Sequence, residues 1–495
     1  MEREVGVGLV DETTVDLDAG RFDCVPVVWR LPWDGTDPLV WYERLAADAP
    51  ASFFLESGSR GRYTFFGCGA SLVVGKGDVL AVTRGGKAAR WRGNLLARLR
   101  EVLAARRAPR WPGLPPFFGG FVGYVAYDAA RAIERLPARA VDDLALPEVY
   151  LMEAREVVAV DHEARDVYLI VCADPAEPGG WTAARKRLER LAARLERPVA
   201  ADALYAWRPA AKAPEPRYSF TRAGFEAAVR RVQDYIAAGD VFQVNLSVRR
   251  SQPLEVPPYA VYRVLRRLNP SPYMGYLRFP DLEIVCGSPE LLVRVTGEEL
   301  ATRPIAGTRR RGSTSEEDEA LERELLANEK ERAEHAMLVD LVRNDLGRVA
   351  VYGTVRVDEL MVVERYSHVM HLVSHVRGRR RTDADAVDVL RAVFPGGTIT
   401  GAPKVRTMEI IEELEPFRRG PYTGSIGWFG YQGDMTLNIV IRTLVAKDGW
   451  AHVQAGAGIV IDSQPAAEYE ECLNKAQALW QAVEESRAEV GRRGG

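Results

Sequence analysis

Two pairs of glutamates continue the apolar faces of predicted helices, and these residues have the types and spacing that metal chemistry requires. In the stretch ANEKERAEHAMLVDLVRNDLGRV, Glu331 and Glu334 lie at helical spacing from Leu338. Near the C-terminus, Glu468 and Glu471 repeat the pattern beside another apolar stripe. A carboxylate taken out of water loses several kcal/mol unless a cation or hydrogen-bond donors compensate it. A compensating group is therefore expected opposite each pair.

Four carboxylates around one space favour Mg²⁺, because this ion prefers a few carboxylate oxygens together with retained waters. The alternative is a solvated helix face on which Lys330 and Arg332 pair with the glutamates. The residue pattern leaves both interpretations open. If the ion is present, an anionic ligand needs further cations or amide donors, and the candidates are Arg442 in LNIVIRT and the glycine-rich segment 456–458.

Other kinds of site are not supported by the motifs. His371 lies in SHVMHLVSH, whose β-branched residues indicate a strand, so the helical spacing needed for a zinc site is absent. A neutral histidine near an acid can still act as a general acid or base. RPIAGTRRRG lacks the interleaved aromatics of a nucleic-acid patch, and FPGGTITGAPK lacks the Ser or Thr that follows the lysine of a phosphate loop. No GxSxG elbow or glutamine-hydrolysing cysteine motif occurs.

Composition points to a cytoplasmic protein without nucleic-acid or membrane partners. The 495 residues carry 66 basic and 69 acidic side chains and a net charge of −3, which gives no field that recruits a polyanion. Five dispersed cysteines without a CxxC pair predict reduced thiols. The N-terminus lacks a signal-peptide pattern, and no run of apolar residues is long enough to span a bilayer.

The elements that must position these residues form two predicted regions. Residues 1–206 contain strand-like segments such as SFFLES, RYTFFG and DVYLIVCA, and residues 207–219 are rich in proline and alanine, which predicts a linker. Residues 220–487 contain the candidate site. There, the capping pair Ser315 and Asp318 predicts one long helix that includes Glu331 and Glu334.

Five motifs in this order resemble the chorismate-utilising enzyme family over nearly the whole chain: PIAGTRRRG, NEKERAEHAMLVDLVRNDLGRV, YSHVMH, FPGGTITGAPK and GAGIVIDSQPAAEYEE. FFLES, RYTFFG and FFGGFVGY are similar to its amidotransferase-dependent members. The resemblance implies an α+β fold in which two large antiparallel β-sheets pack face to face with helices on the outside.

The resemblance also implies roles for individual residues. Glu334 and Glu471 would bind Mg²⁺ directly, while Glu331 and Glu468 would act through its waters. Glu290 would be the general acid that helps the allylic hydroxyl of chorismate leave, with a pKa raised by negatively charged surroundings. The remaining residues implied to contact the substrate or complete the polar pocket are Gly307, Thr308, His371, Tyr422, Arg442, Gly456, Ala457, Gly458 and Lys475.

Positions around the ring suggest the nucleophile. Water-adding members carry a lysine where this chain has Gln243, so the resemblance implies that ammonia attacks instead. Asn245, Trp428 and Asn438 are similar to the branch that forms 4-amino-4-deoxychorismate for p-aminobenzoate and folate synthesis. Ala306 replaces the nucleophilic lysine of some members of that branch and is the usual residue of the anthranilate-forming branch, so anthranilate stays an alternative product.

Two further partners follow from the resemblance. Because the chain lacks a glutaminase motif, a separate glutamine amidotransferase subunit would supply ammonia. A family tryptophan pocket would be formed by Leu55, Glu56, Ser57, Pro272, Tyr273 and Met274, although an ordinary core is the simpler interpretation. A non-catalytic binding protein on this fold is a remote alternative, which the retained acidic and basic site residues disfavour.

Overall fold

Two antiparallel sheets of twelve strands each organise the chain in a computed structural model. The structure describes residues 22–58, 61–69, 71–198, 204–210, 215–366 and 369–493. Sheet I contains, in spatial order, β1 (Val25–Pro32), β10 (Asp166–Ala173), β9 (Glu156–Asp161), β3 (Tyr63–Cys68), β2 (Ser52–Glu56), β13 (Tyr273–Arg278), β14 (Glu283–Ser288), β23 (Thr443–Lys447), β24 (Trp450–Ile459), β12 (Gln243–Pro253) and β11 (Arg217–Tyr218), with β20 (Gly401–Ala402) also paired to β12.

Sheet II has the same number of strands. Its spatial order is β17 (Ile305–Arg310), β19 (Val369–Arg379), β16 (Glu299–Arg303), β15 (Leu291–Thr296), β22 (Met435–Asn438), β21 (Ser425–Gly430), β7 (Gly120–Val125), β8 (Val149–Ala154), β4 (Ser71–Lys76), β5 (Val79–Arg84) and β6 (Lys87–Arg92), with β18 (Arg356–Arg365) also paired to β19. The chain crosses between the two sheets after β3, β8, β14, β19, β20 and β22.

The helices in the described residues lie around these sheets. They are α1 (Pro38–Ala46), α2 (Leu95–Ala104), α3 (Gly180–Glu196), α4 (Arg222–Ala237), α5 (Pro258–Leu268), α6 (Ser315–Ala327), α7 (Glu329–Gly347), α8 (Ala386–Val393), α9 (Lys404–Leu414) and α10 (Pro465–Arg493).

The core consists of two apolar layers. One includes Val244 of sheet I together with Val293 and Trp428 of sheet II, so it fills the space between the sheets. The other covers the opposite face of sheet I with α1, α3, α5 and α10; there, the Tyr262 ring of α5 lies 5.7 Å from the Tyr276 ring of β13. Each sheet thus buries apolar side chains that alternate along its strands. The predicted arrangement of two face-to-face antiparallel sheets with outer helices is confirmed.

The predicted long acidic helix is in fact two helices, because the chain turns at Asn328. Thr314, and not Ser315, caps α6, since its hydroxyl accepts from the Glu317 amide at 3.2 Å. The Asn328 side chain accepts from the Glu331 amide at 3.0 Å and starts α7. An asparagine cap satisfies amides that the first helical turn leaves unpaired. The second helix, α7, therefore begins just before Glu331 and Glu334 and contains both of them.

Strands from both predicted regions share both sheets. In sheet I, β2 pairs with β13, and in sheet II, β7 pairs with β21. Within the stretch 207–219, the Trp207 indole donates to the Leu254 carbonyl at 2.7 Å, and β11 pairs with β12. This stretch therefore joins regions whose strands build the same sheets.

The cysteines form no disulfide, as their spacing predicts: Cys24, Cys68, Cys172, Cys286 and Cys472 are free thiols. In the described part of the chain, no helix combines the length and apolar character needed to cross a membrane.

Candidate active site

A cavity of about 670 Å³ lies where β12, β17, β19 and β24 meet α7 and α10. This volume is in the range of small-molecule sites. The cavity brings together almost all of the predicted pocket residues. Those that line it are Gln243, Glu290, Ala306, Gly307, Thr308, Glu331, Glu334, His371, Tyr422, Arg442, Gly456, Gly458, Glu468, Glu471 and Lys475.

On α7, the two glutamates face the cavity with different partners. Glu334 Oε1 accepts from Gln243 Nε2 at 3.0 Å. Glu331 Oε1 pairs with the Arg309 guanidinium at 2.6 Å, whereas Glu331 Oε2 is buried and has no hydrogen-bond partner among the described residues. An unpartnered buried carboxylate oxygen is costly, so this atom indicates a ligand-binding position.

The arginines of RPIAGTRRRG compensate helix carboxylates. Arg309 also binds Glu324 at 3.0 Å, and Arg311 binds Asp318 at 2.6 Å. The described residues show no ion pair of Lys330 or Arg332 with the glutamates that face the cavity. The predicted salt-bridge alternative is therefore wrong in its partners. The pairing explains why this basic stretch lies in an acidic protein.

On α10, Glu468 is half-buried and Glu471 is exposed at the cavity mouth. Burial raises the pKa of Glu468, and the adjacent Glu471 carboxylate acts in the same direction. Lys475 pairs with Glu471 at 2.6 Å and donates to the Gly456 carbonyl at 3.0 Å. Lys475 thus ties the mouth of the cavity to β24.

The donor set fits a hydrated divalent cation. In the described ranges, no three acidic, histidine or cysteine side chains stand close enough to hold one ion together. Mg²⁺ commonly keeps several waters and uses only one or two carboxylates. The unpartnered Glu331 Oε2 is an oxygen to which a water of such an ion could donate. Glu334 and Glu471 as direct ligands, with Glu331 and Glu468 at the waters, stay a prediction.

Arg442 places a cation in the cavity without a carboxylate partner among the described side chains. It lies where the chain crosses from β22 to β23, with a positive φ of 50° and a carbonyl that accepts from the Gly287 amide at 3.0 Å. Burial lowers the pKa of Arg442, yet a guanidinium stays charged. A half-buried cation without a carboxylate partner among the described residues favours an anionic ligand.

The glycines of β24 let this strand approach two side chains closely. A Cβ at Gly456 would lie 2.8 Å from the Tyr422 hydroxyl, and one at Gly458 would lie 2.3 Å from Gln243 Nε2. Ala457 does not line the cavity: its side chain is fully buried in the layer between the sheets. Alternate residues of a strand face opposite sides, so Ala457 could contribute only through its backbone, and the predicted contact through the amides of residues 456–458 stays a prediction.

His371 is held in the cavity wall as a neutral imidazole. Its Nδ1 lies 3.0 Å from the Thr308 hydroxyl and 3.3 Å from the Gly307 carbonyl. Burial lowers the pKa of His371 to about 4, and the Arg442 charge acts in the same direction. Since a carbonyl only accepts, we assign the hydrogen to Nδ1, which leaves Nε2 as an acceptor.

Glu290 lies where the chain crosses from β14 to β15, and its carbonyl accepts from the Ile439 amide at 3.0 Å. Burial raises the pKa of Glu290 to about 7, against the opposing effects of the Thr398 hydroxyl and the Ile305 amide. The expected negatively charged surroundings are not the cause. Removal from water alone keeps a large protonated fraction near neutral pH.

Three residues that are predicted to influence the choice of nucleophile lie in the cavity wall. Gln243 and Asn245 lie on β12, and the Asn245 amide donates to the Thr398 carbonyl at 3.2 Å. Gln243 Oε1 is buried without a partner in the described structure. Ala306 lies on β17 and presents only a methyl group. No lysine stands at either the Gln243 or the Ala306 position.

Sequence reasoning missed a buried ion pair between α7 and α9. Lys404 Nζ donates to Asp345 Oδ2 at 2.6 Å, joining the start of α9 to the end of α7. One signal was available: Asp345 continues the apolar face of Leu338 and Val342 at helical spacing, as Glu334 does. The position of its partner depends on the fold.

A second cavity, of about 700 Å³, contains the six residues of the predicted tryptophan pocket: Leu55, Glu56, Ser57, Pro272, Tyr273 and Met274. Trp428 and Asn438 also line it, and the Asn438 amide donates to the Tyr273 carbonyl at 3.2 Å. The Glu56 carboxylate accepts hydrogen bonds from the Arg266 guanidinium at 2.8 Å and from the Tyr262 hydroxyl at 2.5 Å. These residues therefore border a cavity and not a closed core.

Comparison with known proteins agrees with this geometry. The chorismate binding enzyme family matches residues 31–481. Aminodeoxychorismate synthase component 1 of Bacillus subtilis is 48% identical over 466 residues, covering 94% of this chain and 98% of that protein. Anthranilate synthase component 1 of Thermus thermophilus is 50% identical over 455 residues, covering 91% and 96%.

Solved structures show the same fold. The crystal structure of anthranilate synthase component I from Streptococcus pneumoniae superposes with a TM-score of 0.75 at 36% identity, covering 85% of this chain and 92% of that one. MenF, the menaquinone-specific isochorismate synthase of Escherichia coli, has a TM-score of 0.68 at 19% identity over 93% and 95%, a likeness of fold alone. The chain therefore belongs to the chorismate binding enzyme family and is a chorismate-utilising enzyme.

Proposed function

We propose that this enzyme replaces the C4 hydroxyl of chorismate by an amino group, with Mg²⁺ as cofactor and ammonia as nucleophile, to give 4-amino-4-deoxychorismate for p-aminobenzoate and folate synthesis. The observation that carries the proposal is the shared cavity. It combines an unpaired Arg442, four glutamates and a buried Glu290 with a pKa of about 7. These groups suit a substrate with two carboxylates and a poor leaving group.

The chain's own residues hold the two ends of the substrate. Arg442, the Tyr422 hydroxyl and the amides of Gly456 and Gly458 bind the enolpyruvyl carboxylate, because they provide charge and donors on one wall. Gly307 and Thr308 line the ring. Mg²⁺, when bound at Glu334 and Glu471, supplies the positive charge that the ring carboxylate requires.

Glu290 acts on the leaving group. Its carboxyl proton moves to the allylic hydroxyl oxygen as the carbon–oxygen bond breaks, and the hydroxyl departs as water. Ammonia forms the new carbon–nitrogen bond, and one proton released from the nitrogen restores the carboxyl group, so charge and protons balance. The neutral His371, with Nε2 as an acceptor, can take a proton transiently without adding positive charge.

The nucleophile is selected by the wall at Gln243. An amide cannot deprotonate water as an amine base could, which favours ammonia, a stronger nucleophile that needs no base. Ala306 offers no amine for a covalent intermediate, so we propose direct attack on the ring. A separate glutamine amidotransferase subunit would hydrolyse glutamine and supply ammonia to this cavity.

A specific observation favours a second product, anthranilate. Ala306 stands where some aminodeoxychorismate-forming members have a lysine, and the identity to the Thermus thermophilus anthranilate synthase component is 50%. In that case, amination at C2 would be followed by loss of pyruvate. The cavity binds the same substrate in both reactions.

Product analysis separates the two. The pure protein is incubated with chorismate, Mg²⁺ and ammonium at alkaline pH. We expect a product that yields p-aminobenzoate only after aminodeoxychorismate lyase is added. Anthranilate fluorescence without any added enzyme would reject the preferred product, and no turnover with ammonium would reject amination. Replacing ammonium by glutamine should give no product until the amidotransferase subunit is added.

We further propose that the second cavity binds tryptophan, either as a feedback inhibitor or as a structural ligand. Its aromatic wall at Trp428 and its polar groups at Ser57 and Asn438 suit an amino acid with a large ring. Calorimetric titration with tryptophan tests binding, and rates measured along the same titration test inhibition. Binding without a change in rate would exclude feedback, and the absence of binding would exclude both.

A further inference from the structure

A third, much smaller cavity lies behind Glu290. Its volume of about 10 Å³ is at the lower limit for one water molecule. Glu290 and Thr398 border both this cavity and the active-site cavity, whereas Asp345 borders only the small one. Glu290 and Thr398 thus separate the active-site cavity from a small space that is also bordered by Asp345, a buried carboxylate of α7.

Three residues that border the small cavity each have a buried oxygen atom without a hydrogen-bond partner among the described protein atoms. These atoms are Glu290 Oε1, Asp345 Oδ1 and Thr398 Oγ1. An unmade hydrogen bond on a buried polar atom costs about 1–3 kcal/mol, and all three residues border the small cavity, so a single partner in that cavity would relieve three such costs. The residues themselves are well enclosed, since Glu290 is 5% and Asp345 2% exposed.

We propose that one structural water occupies this cavity and positions Glu290 for catalysis. A water molecule has two hydrogens and two lone pairs, and buried waters typically make about three hydrogen bonds. It can donate to Asp345 Oδ1 and to Glu290 Oε1 while it accepts from the Thr398 hydroxyl, which is close enough to lower the pKa of Glu290 but makes no direct hydrogen bond with Glu290 Oε1. This arrangement satisfies all three atoms at once.

The direction of these hydrogen bonds follows from Lys404. Its ammonium donates to Asp345 Oδ2 at 2.6 Å and to the Val393 carbonyl at 3.3 Å, which leaves Asp345 Oδ1 as an acceptor toward the cavity. Arg348 and Glu134 are the other charges that act on Lys404. A water that donates to Asp345 directs its second hydrogen toward Glu290.

The consequence concerns the acidic proton of Glu290, and it rests on the proposed general-acid function. When Oε1 accepts a hydrogen bond from the water, the carboxyl proton resides on the other oxygen. Asp345, Thr398 and the water therefore act as positioning groups. They keep the acidic proton on one oxygen of Glu290, and Asp345 does so without contacting the reacting atoms of the substrate. Such support of a reacting group is how rigid sites keep their geometry.

The first test is direct and independent of activity. A high-resolution crystal structure of the full chain should show one ordered water within about 2.6–3.2 Å of the three oxygens. Density without a water, or direct hydrogen bonds among the three side chains, would overturn the proposal. Absence of turnover in the wild type would instead reject the proposed function and leave this test valid.

The second test displaces the water with an apolar group. Val393→Ile adds a methyl group to a residue that borders the small cavity, while Val389→Ile makes the same change at a buried position of α8 that does not. We expect the ammonia-dependent kcat of Val393→Ile to fall about fivefold at unchanged KM, the effect of one lost hydrogen bond of ~1 kcal/mol. The control should keep the wild-type kcat.

The pH dependence distinguishes positioning from general destabilisation. Because a water hydrogen bond favours the ionised carboxylate, its loss should move the alkaline limb of the Val393→Ile rate profile to higher pH. Thr398→Val should reproduce both effects, and Thr398→Ser, which keeps the hydroxyl, should restore them toward wild type. Equal kcat values and pH profiles for Val393→Ile and Val389→Ile would refute a role for the water.

Discussion

Replacing Glu290 by glutamine should make the stability of the protein less dependent on pH. Burial raises the pKa of Glu290 from 4.5 to about 7. One pH unit corresponds to about 1.4 kcal/mol, so the difference between these values is worth ~3 kcal/mol at full ionisation of the unfolded chain. Glutamine has a similar shape and does not ionise.

The sign follows from which state binds the proton. Below about pH 4, Glu290 is protonated in both the folded and the unfolded chain, so its ionisation contributes no difference. Between about pH 4.5 and pH 7, the unfolded chain loses the proton while the folded protein keeps it, and the wild type loses stability. Above about pH 7, the loss reaches its full ~3 kcal/mol. Glu290→Gln lacks this loss, so its stability relative to wild type should rise over the same window.

The assay is reversible urea unfolding followed by tryptophan fluorescence at a series of pH values. At each pH, the unfolding free energy of the wild type is subtracted from that of Glu290→Gln, and the change of this difference with pH is the relevant quantity. Any effect of the glutamine amide on stability that does not depend on pH cancels in this comparison. Glu319→Gln on the exposed face of α6 is the matched control and should give a flat difference. A flat difference for Glu290→Gln between pH 4 and pH 9 would refute the raised pKa. The same variant should lose about 10²–10⁴-fold in kcat if Glu290 is the general acid.

Three other changes test the site. Glu334→Ala should abolish amination and weaken Mg²⁺ binding measured by calorimetry; undiminished activity would reject the metal assignment, whereas a wild type without activity would favour a non-catalytic protein. Arg442→Met should lower kcat/KM for chorismate at least 100-fold, since a bidentate charge pair is worth about 3 kcal/mol, whereas an unchanged value would remove Arg442 from the carboxylate site. Lys404→Met leaves Asp345 buried and unpaired, which should reduce the unfolding free energy by about 3–5 kcal/mol; a smaller loss in urea unfolding would show that water reaches the pair.

Local patterns in the sequence were sufficient to find the acidic helix faces. Glu334 and Glu471 interrupt apolar stripes at helical spacing, and such anomalies are visible without knowledge of the fold. The roles of the individual residues came from family motifs, and the structure brings those residues to one cavity. At Ala457, strand alternation turns the side chain into the layer between the sheets, so the predicted role of residues 456–458 concerns their backbone amides alone.

Long-range pairings were not predictable in the same way. Glu331 is compensated by Arg309 from β17, 22 positions earlier, and not by its helical neighbours. Lys404 reaches Asp345 across 59 positions, and only the fold brings the start of α9 to the end of α7. Periodicity describes one element at a time, so partners on different elements require the fold. The raised pKa of Glu290 was predicted correctly in direction, but its cause, burial, is likewise a property of the packed state.

Helix α7 connects the two chemical tasks of the site. Glu334 faces the cavity near the beginning of the helix, and Asp345 lies eleven positions later at the wall behind Glu290. At 1.5 Å per residue, about 16 Å of rigid helix separates them. Since Lys404 fixes Asp345 to α9, the same helix sets the carboxylates proposed to bind the metal and the wall behind the proposed general acid in one frame. A substitution at the far end of α7 is therefore expected to change kcat without altering any group proposed to bind the metal or the substrate.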